Sequence, residues 1–235
     1  MDWKKLEYSG GLFGCFILFT LLVRFVDRAA IGPLDSVVGL SKLNGAVRDS
    51  LGKSSIWYGI STFAGILVIL IAVGFACLGA YQLIRYRSLM GVDPDIYALG
   101  VVYVIMGIFY IIFEKAVVNY RPLLENDELA ASYPSSHTLL AITVIGTGVI
   151  ALHKRIRDNK ARNVIMIAAF ALMFVAIITR TLSGVHWITD IFGAVFLGSS
   201  LIALYAALAE YSFVIRDNLR KNAGTGKRTG PDDEV

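Results

Sequence analysis

The chain has 235 residues, of which 56% are hydrophobic and 17% charged, with a formal net charge of +4. Its mean hydropathy of +0.66 excludes an ordinary soluble domain, in which about 25% of residues are charged. Basic residues gather beside the ends of apolar runs, so anionic lipid headgroups are the expected counter-charge and nucleic acid is not.

The first uncharged run, Gly10 to Val23, is long enough for a span if Arg24 snorkels to the interface. A signal peptide is the competing reading because Lys4 and Lys5 precede the run, but RFVDRAAIG offers no clean small-x-small cleavage site. Next, Leu40, Leu43, Val47 and Leu51 recur at spacings of three and four, the pattern of a short amphipathic helix in the interface. Gly39 and Gly45 leave an ordinary loop as the other reading. Four more uncharged runs follow: Ile56 to Ile84, Ile96 to Phe113, Asn163 to Thr179 and Ile191 to Ala209. A further one, Pro134 to Leu152, carries only His137. The expectation is an all-α polytopic membrane protein with six transmembrane helices and a short interfacial helix between spans one and two. Residues 1–221 would form the membrane domain, and the Gly-rich polar stretch 222–235 a disordered cytoplasmic tail. Cys15 and Cys77 both fall inside spans, too few and too buried for a disulfide framework or a metal site.

Orientation follows from the positive charges. With the N-terminus inside, the cytoplasmic segments hold twelve Lys and Arg residues against eight outside, and HKRIRDNKAR between spans four and five is the strongest single contribution. This puts three polar stretches at outer helix ends: EKAVVNYRP at 114–122, YPSSHT at 133–138 and TRTLSGVHWITD at 179–190. Ionisable groups at membrane helices are costly and usually functional.

His186 and Asp190 are four residues apart, on one face of the helix expected to start near Trp187. A carboxylate one turn away can take the proton of one ring nitrogen and leave the other free as nucleophile or base. Arg180 can fold over the same spot across Ser183-Gly184. His137 opens span four behind Pro134, Ser135 and Ser136; a serine cap and the helix dipole make such an end an anion site. Arg121-Pro122 closes span three, and a guanidinium grips two phosphate oxygens in a planar fork. Taken singly, each of these also reads as an interface marker, a good helix cap or boundary punctuation. Together, two arginines, two histidines, serine and aspartate without a metal-ligand cluster suit phosphoryl transfer, which is dominated by positioning and charge stabilisation. Glu125, Asp127 and Glu128 read as a solvated acidic loop.

In chain order, the three stretches resemble the signature of the type 2 phosphatidic acid phosphatase family. That pattern is Lys, six residues, Arg-Pro; then Pro-Ser-Gly-His; then Ser-Arg, five residues, His, three residues, Asp. Arg121-Pro122 matches the end of the first element; Pro134, Ser135 and His137 match the second, with Ser136 in place of Gly; Arg180, His186 and Asp190 match the third, with Thr179 in place of Ser. Only five residues separate Lys115 from Arg121, and Glu114 stands where the pattern has Lys. The resemblance implies an integral membrane, metal-independent lipid phosphate phosphatase without a cofactor. His186 would attack and form a phosphohistidine, Asp190 orient it and His137 protonate the leaving group. Arg121, Arg180, Ser135, Ser136 and Lys115 would bind phosphate. The partners implied are a lipid phosphate and the bilayer. Phosphatidate, phosphatidylglycerol phosphate and polyprenyl pyrophosphate are the substrate candidates, at the outer face of a bacterial inner membrane. A lipid phosphotransferase using the same intermediate, an anion channel and a non-catalytic lipid-binding relative are the alternatives.

Overall fold

The computed structural model describes residues 3–225 of the chain. Seven helices follow in order: α1 (Trp3–Phe25), α2 (Ser41–Leu51), α3 (Ser55–Tyr86), α4 (Pro94–Lys115), α5 (Ser136–Arg155), α6 (Asn159–Leu182) and α7 (Ile188–Thr225). All except α2 are long and apolar enough to cross a membrane, as the six uncharged runs predict. A small antiparallel ribbon, β1 (Ala29–Ala30) with β2 (Val37–Val38), links α1 to α2.

The helices outrun the apolar runs because charged residues can sit where a helix leaves hydrocarbon. α1 begins at Trp3, and its Lys5 Nζ lies 2.5 Å from Glu210 on α7. α3 has 32 residues, so at 1.5 Å per residue it is about 48 Å long and must tilt or project beyond a hydrocarbon core of about 30 Å. Starts are set by local chemistry: the Ser54 side chain accepts from Trp57 N–H at α3, Asp158 accepts from Ala161 N–H at α6, and Pro94 opens α4. α7 continues through residues 222–225, expected above to begin a disordered tail, because a helix once nucleated extends cheaply by one bond per residue. The rest of that expected tail, residues 226–235, lies outside the described residues.

α5 and α7 form the centre of the bundle: 61% and 50% of their spanning windows are buried, against 17–22% for the other four spans. Small residues allow that closeness. A Cβ on Gly198 would stand 2.7 Å from Ile142 Cγ2 on α5. α1 docks on α7 through reciprocal serines, Ser9 Oγ donating to the Ser200 carbonyl at 3.0 Å and Ser200 Oγ to the Ser9 carbonyl at 2.9 Å. At one end of the bundle an ionic knot closes the helices. Arg155 at the end of α5 bonds Asp95 at 2.5 and 2.9 Å and Asp93 at 3.1 Å, and Gln82 on α3 donates to Asp93. The polar stretches all lie at the other end.

α2 is the short helix read from Leu40, Leu43, Val47 and Leu51, but its faces are divided differently. Leu40 precedes the helix in a left-handed conformation and packs on the core. Leu43 and Leu51 point outward at 46% and 39% exposure, and Ser41 and Asn44 are buried. The polar side of α2 therefore faces the protein and part of its apolar side faces away, a distribution suited to a helix at the lipid boundary.

Candidate active site

α6 ends at Leu182 and α7 begins at Ile188, so His186 sits in a five-residue turn. Ser183 Oγ donates to the Arg180 carbonyl at 2.6 Å, and Gly184 turns the chain with φ of 70°. A Cβ on Gly184 would lie 2.1 Å from the Gly52 carbonyl oxygen, so the turn passes against the segment between α2 and α3 with room for glycine alone.

The turn brings Arg180 back over the histidine. Arg180 is 1% exposed; its guanidinium lies over the Tyr58 ring, 5.6 Å from the centroid, with Nη2 3.0 Å from His186 Nε2. Arginine has no acceptor, so Nε2 accepts and is the unprotonated nitrogen. The ring proton is then on Nδ1, which faces Asp190 Oδ2 at 3.4 Å and Ser132 Oγ at 3.1 Å. Burial and, after it, the charges of Arg180 and Arg121 hold His186 well below the ordinary imidazole range, so the ring is neutral. Asp190 Oδ2 also accepts from Trp187 N–H at 2.9 Å and from Ser132 Oγ. One carboxylate oxygen thus gathers the start of α7, the segment before α5 and the histidine.

Ser135 caps α5 by backbone position, and its side chain makes no cap bond. Its N–H donates to the Asp190 carbonyl at 3.1 Å, and its buried Oγ has no protein partner. Arg180 Nε and Nη1 are likewise buried without partners. Two cationic donors and a hydroxyl are therefore left without protein partners in the neighbourhood of His186, a donor set a phosphate would satisfy. Arg121 is half-buried, with Nε donating to the Ala131 carbonyl at 3.2 Å and Nη1 on Glu125 at 2.8 Å. Glu125, read from the sequence as solvated, thus places a carboxylate on the guanidinium.

A small cavity over His186 is walled by Arg121, Ser132, Ser136 and Glu114, among others. It shares Tyr110, Ser136 and Leu139 with a larger apolar cavity of about 350 Å³ between α3 and α4, onto which His137 opens. On the opposite side, a cavity of about 250 Å³ reaches Arg121, Ser183, Lys53 and Glu125.

The family model of the PAP2 superfamily matches residues 96–213, which include all three polar stretches. The chain belongs to the PAP2 superfamily. Its fold is also similar to a solved structure described as the first transmembrane PAP2 type phosphatidylglycerolphosphate phosphatase from Bacillus subtilis. The TM-score is 0.61 over 86% of this chain and 96% of that one, at 20% identity, a likeness of fold. No curated protein matches the sequence. The protein is thus an integral membrane protein with the fold of a PAP2 phosphatase.

Within this PAP2 chain, Arg121, Ser136 and His186 line the small cavity, His137 and Ser136 line the neighbouring apolar one, and Arg180, Asp190 and Ser135 join them through contacts to His186 and Asp190. Lys115 does not join them. It ends α4 with an exposed side chain, and it is Glu114 that lines the cavity over His186. A helix turns about 100° per residue, so neighbours on α4 cannot share a direction. Among the described residues no three His, Cys, Asp or Glu side chains gather as a metal site.

Several residues packed around His186 carry no sequence signal. Ser132 sits two residues before Pro134 with no distinguishing pattern. Tyr58 comes from α3. From α2, Asn44 Nδ2 donates to Thr189 Oγ1 at 3.0 Å and its Oδ1 accepts from Thr189 N–H at 3.3 Å, while Arg48 stacks over Trp187. The Trp187 indole donates to the Tyr120 carbonyl at 2.6 Å, which joins the histidine turn to the arginine loop. Tyr133 stacks on Phe16 and meets Thr20 Oγ1 at 2.8 Å. Burial, foremost, raises its hydroxyl above the ordinary range, so it stays neutral beside Asp190.

Proposed function

We propose that the protein is a metal-independent lipid phosphate phosphatase working through a phosphohistidine on His186. The observation that carries this reading is the paired state of the ring: Nε2 is unprotonated beneath Arg180, and Nδ1 is backed by Ser132 and, behind it, Asp190. A phosphate held by Arg180, Arg121 and Ser135 would present phosphorus to Nε2. The Nε2–P bond forms as the P–O bond to the leaving group breaks, and the leaving oxygen takes a proton from His137. Water, deprotonated by the now neutral His137, then attacks the phosphohistidine, breaking the N–P bond and releasing inorganic phosphate. The arginines stabilise the charge spread over the equatorial oxygens in both steps.

The apolar cavity supports a lipid as substrate. It shares Tyr110, Ser136 and Leu139 with the cavity over His186 and lies between α3 and α4, in the spanning part of both helices. A hydrocarbon tail can lie there while the headgroup reaches His186. The basic segment 154–162 at the opposite end supports an outward-facing site by the positive-inside rule. The name of the structurally similar protein makes phosphatidylglycerol phosphate the first substrate to try, with phosphatidate and a polyprenyl diphosphate beside it.

The test is phosphate release by purified protein from these lipids with a chelator present, alongside His186→Ala. Wild-type turnover that persists in chelator and is lost in His186→Ala is expected. Undiminished turnover in the variant would overturn the mechanism, and activity abolished by the chelator would overturn metal independence.

A further inference from the structure

The direct contact between His186 Nδ1 and Asp190 Oδ2 is 3.4 Å, beyond the usual N–H···O range of about 2.7–3.2 Å. Ser132 Oγ lies nearer the ring, at 3.1 Å from the same nitrogen, and makes a short bond to the same carboxylate oxygen. We propose that Ser132 is a positioning residue for the nucleophile, a hydroxyl that carries the hold of Asp190 onto the His186 ring. The proposal rests on His186 as the attacking group.

With Asp190 ionised, donor and acceptor counting leaves one arrangement. Arg180 can only donate, so Nε2 accepts and Nδ1 carries the hydrogen. The carboxylate can only accept, so the single Ser132 hydrogen goes to Asp190 Oδ2. The Ser132 oxygen then receives Nδ1–H with a lone pair. All three hydrogen bonds run in one direction, Arg180 to His186 to Ser132 to Asp190, and none can be reversed while the aspartate is ionised. Ser132 is 3% exposed, and its backbone N–H donates to the Asn119 carbonyl at 3.0 Å. The next residue, Tyr133, is fixed between Phe16 and Thr20. The hydroxyl is therefore held by a segment with its own anchors outside the turn that carries His186. As Nε2 bonds to phosphorus the ring gains positive charge, and the oriented Ser132–Asp190 pair faces that charge from behind. In the reverse tautomer Nε2 would carry the hydrogen and could not attack.

A serine that merely packs would affect stability and substrate affinity as much as turnover. Ser132→Ala, Ser132→Thr, Asp190→Asn and the Ser132→Ala/Asp190→Asn pair are each assayed for kcat, KM and melting temperature on phosphatidate. Ser132→Ala is expected to lower kcat by roughly 100-fold, the effect of a nucleophile misplaced by about 1 Å, with KM within about threefold of wild type. Ser132→Thr keeps the hydroxyl and should recover kcat to within about tenfold of wild type. In the Asp190→Asn background Ser132→Ala should lower kcat less than about threefold further, because both substitutions break one chain. A Ser132→Ala enzyme with wild-type kcat, or one whose loss multiplies in full with that of Asp190→Asn, would overturn the proposal while leaving the phosphatase reading intact. If the wild type releases no phosphate in a His186-dependent way, both fall together. Should the threonine methyl prevent folding, the alanine cycle decides alone.

Discussion

Gly184→Ala tests whether the His186 turn is held as tightly as its geometry requires. Two effects add at this position. An alanine at φ of 70° occupies the left-handed region at a cost of roughly 1–2 kcal/mol. Its Cβ would also stand 2.1 Å from the Gly52 carbonyl oxygen and 3.3 Å from Lys53 Cα, both backbone atoms that cannot rotate away. Restoring an ordinary carbon–oxygen contact needs a shift of about 1 Å, a displacement that costs on the order of 100-fold in rate when it reaches reacting groups. The turn spans only the residues between α6 and α7, so the shift passes to His186. The expected outcome is a kcat on phosphatidate reduced by about 100-fold, with a melting temperature lower by roughly 2–8 °C from the strain alone. Intrinsic tryptophan fluorescence follows the melt, because Trp187 is buried beside the turn. Gly59→Ala is the control: it lies within α3 with nothing within 4 Å of the added carbon. Gly184→Ala turnover within threefold of wild type would refute the argument that this turn sets the nucleophile.

Stability should depend on His186 below neutrality. Burial and the charges of Arg180 and Arg121 hold its folded-state pKa well below the ordinary imidazole range, so the unfolded chain binds the proton first. The contribution is complete above about pH 6.5 and is lost as pH falls toward the folded value; melting curves from pH 7.5 to 5 should therefore fall less steeply for His186→Asn. An equal slope in the two proteins would place the pH dependence elsewhere. Asp95→Asn at the far end should lower stability by about 1–3 kcal/mol, since an amide leaves Arg155 one neutral acceptor in place of a two-oxygen carboxylate while Asp93 still pairs with it. KM for a lipid phosphate should not move, and an altered KM would show that the ionic knot communicates with the site. Glu114→Gln removes a carboxylate from the cavity over His186 and should lower KM for a dianionic lipid phosphate by about two- to tenfold, as a repulsion of about 1 kcal/mol implies. Unchanged KM over a range of salt would mean that the carboxylate does not face the phosphate.

The spans were legible because every residue in hydrocarbon must be apolar and every backbone group bonded within its helix. Their ends were less so, since Lys5 and Glu210 extend α1 and α7 past the uncharged runs by pairing with each other. The periodicity of Leu43, Val47 and Leu51 located α2, but Leu40 belonged to the core, because one backbone angle at the start of the helix redirected it. At the site, the residues that come together in space were those with fixed spacing along one helix or turn, such as His186 and Asp190. Lys115 and Glu114 show the limit of such spacing: a single residue of slip decides which side chain faces the cavity. Ser132, Asn44, Arg48 and Tyr58 were out of reach for another reason. Each acts across helices, and a lone serine, asparagine, arginine or tyrosine carries no periodicity that would set it apart.

The division of α2 has a further consequence. Its outward leucines, Leu43 and Leu51, would rest on whatever surrounds the protein, while its inward Asn44 and Arg48 grip Thr189 and Trp187, the residues on either side of the start of α7. The helix is therefore a float tied to the turn that carries His186. Lateral pressure, headgroup crowding or a detergent that replaces lipid at that depth would all tug on the same two side chains, so the geometry around His186 belongs to the protein and its bilayer together.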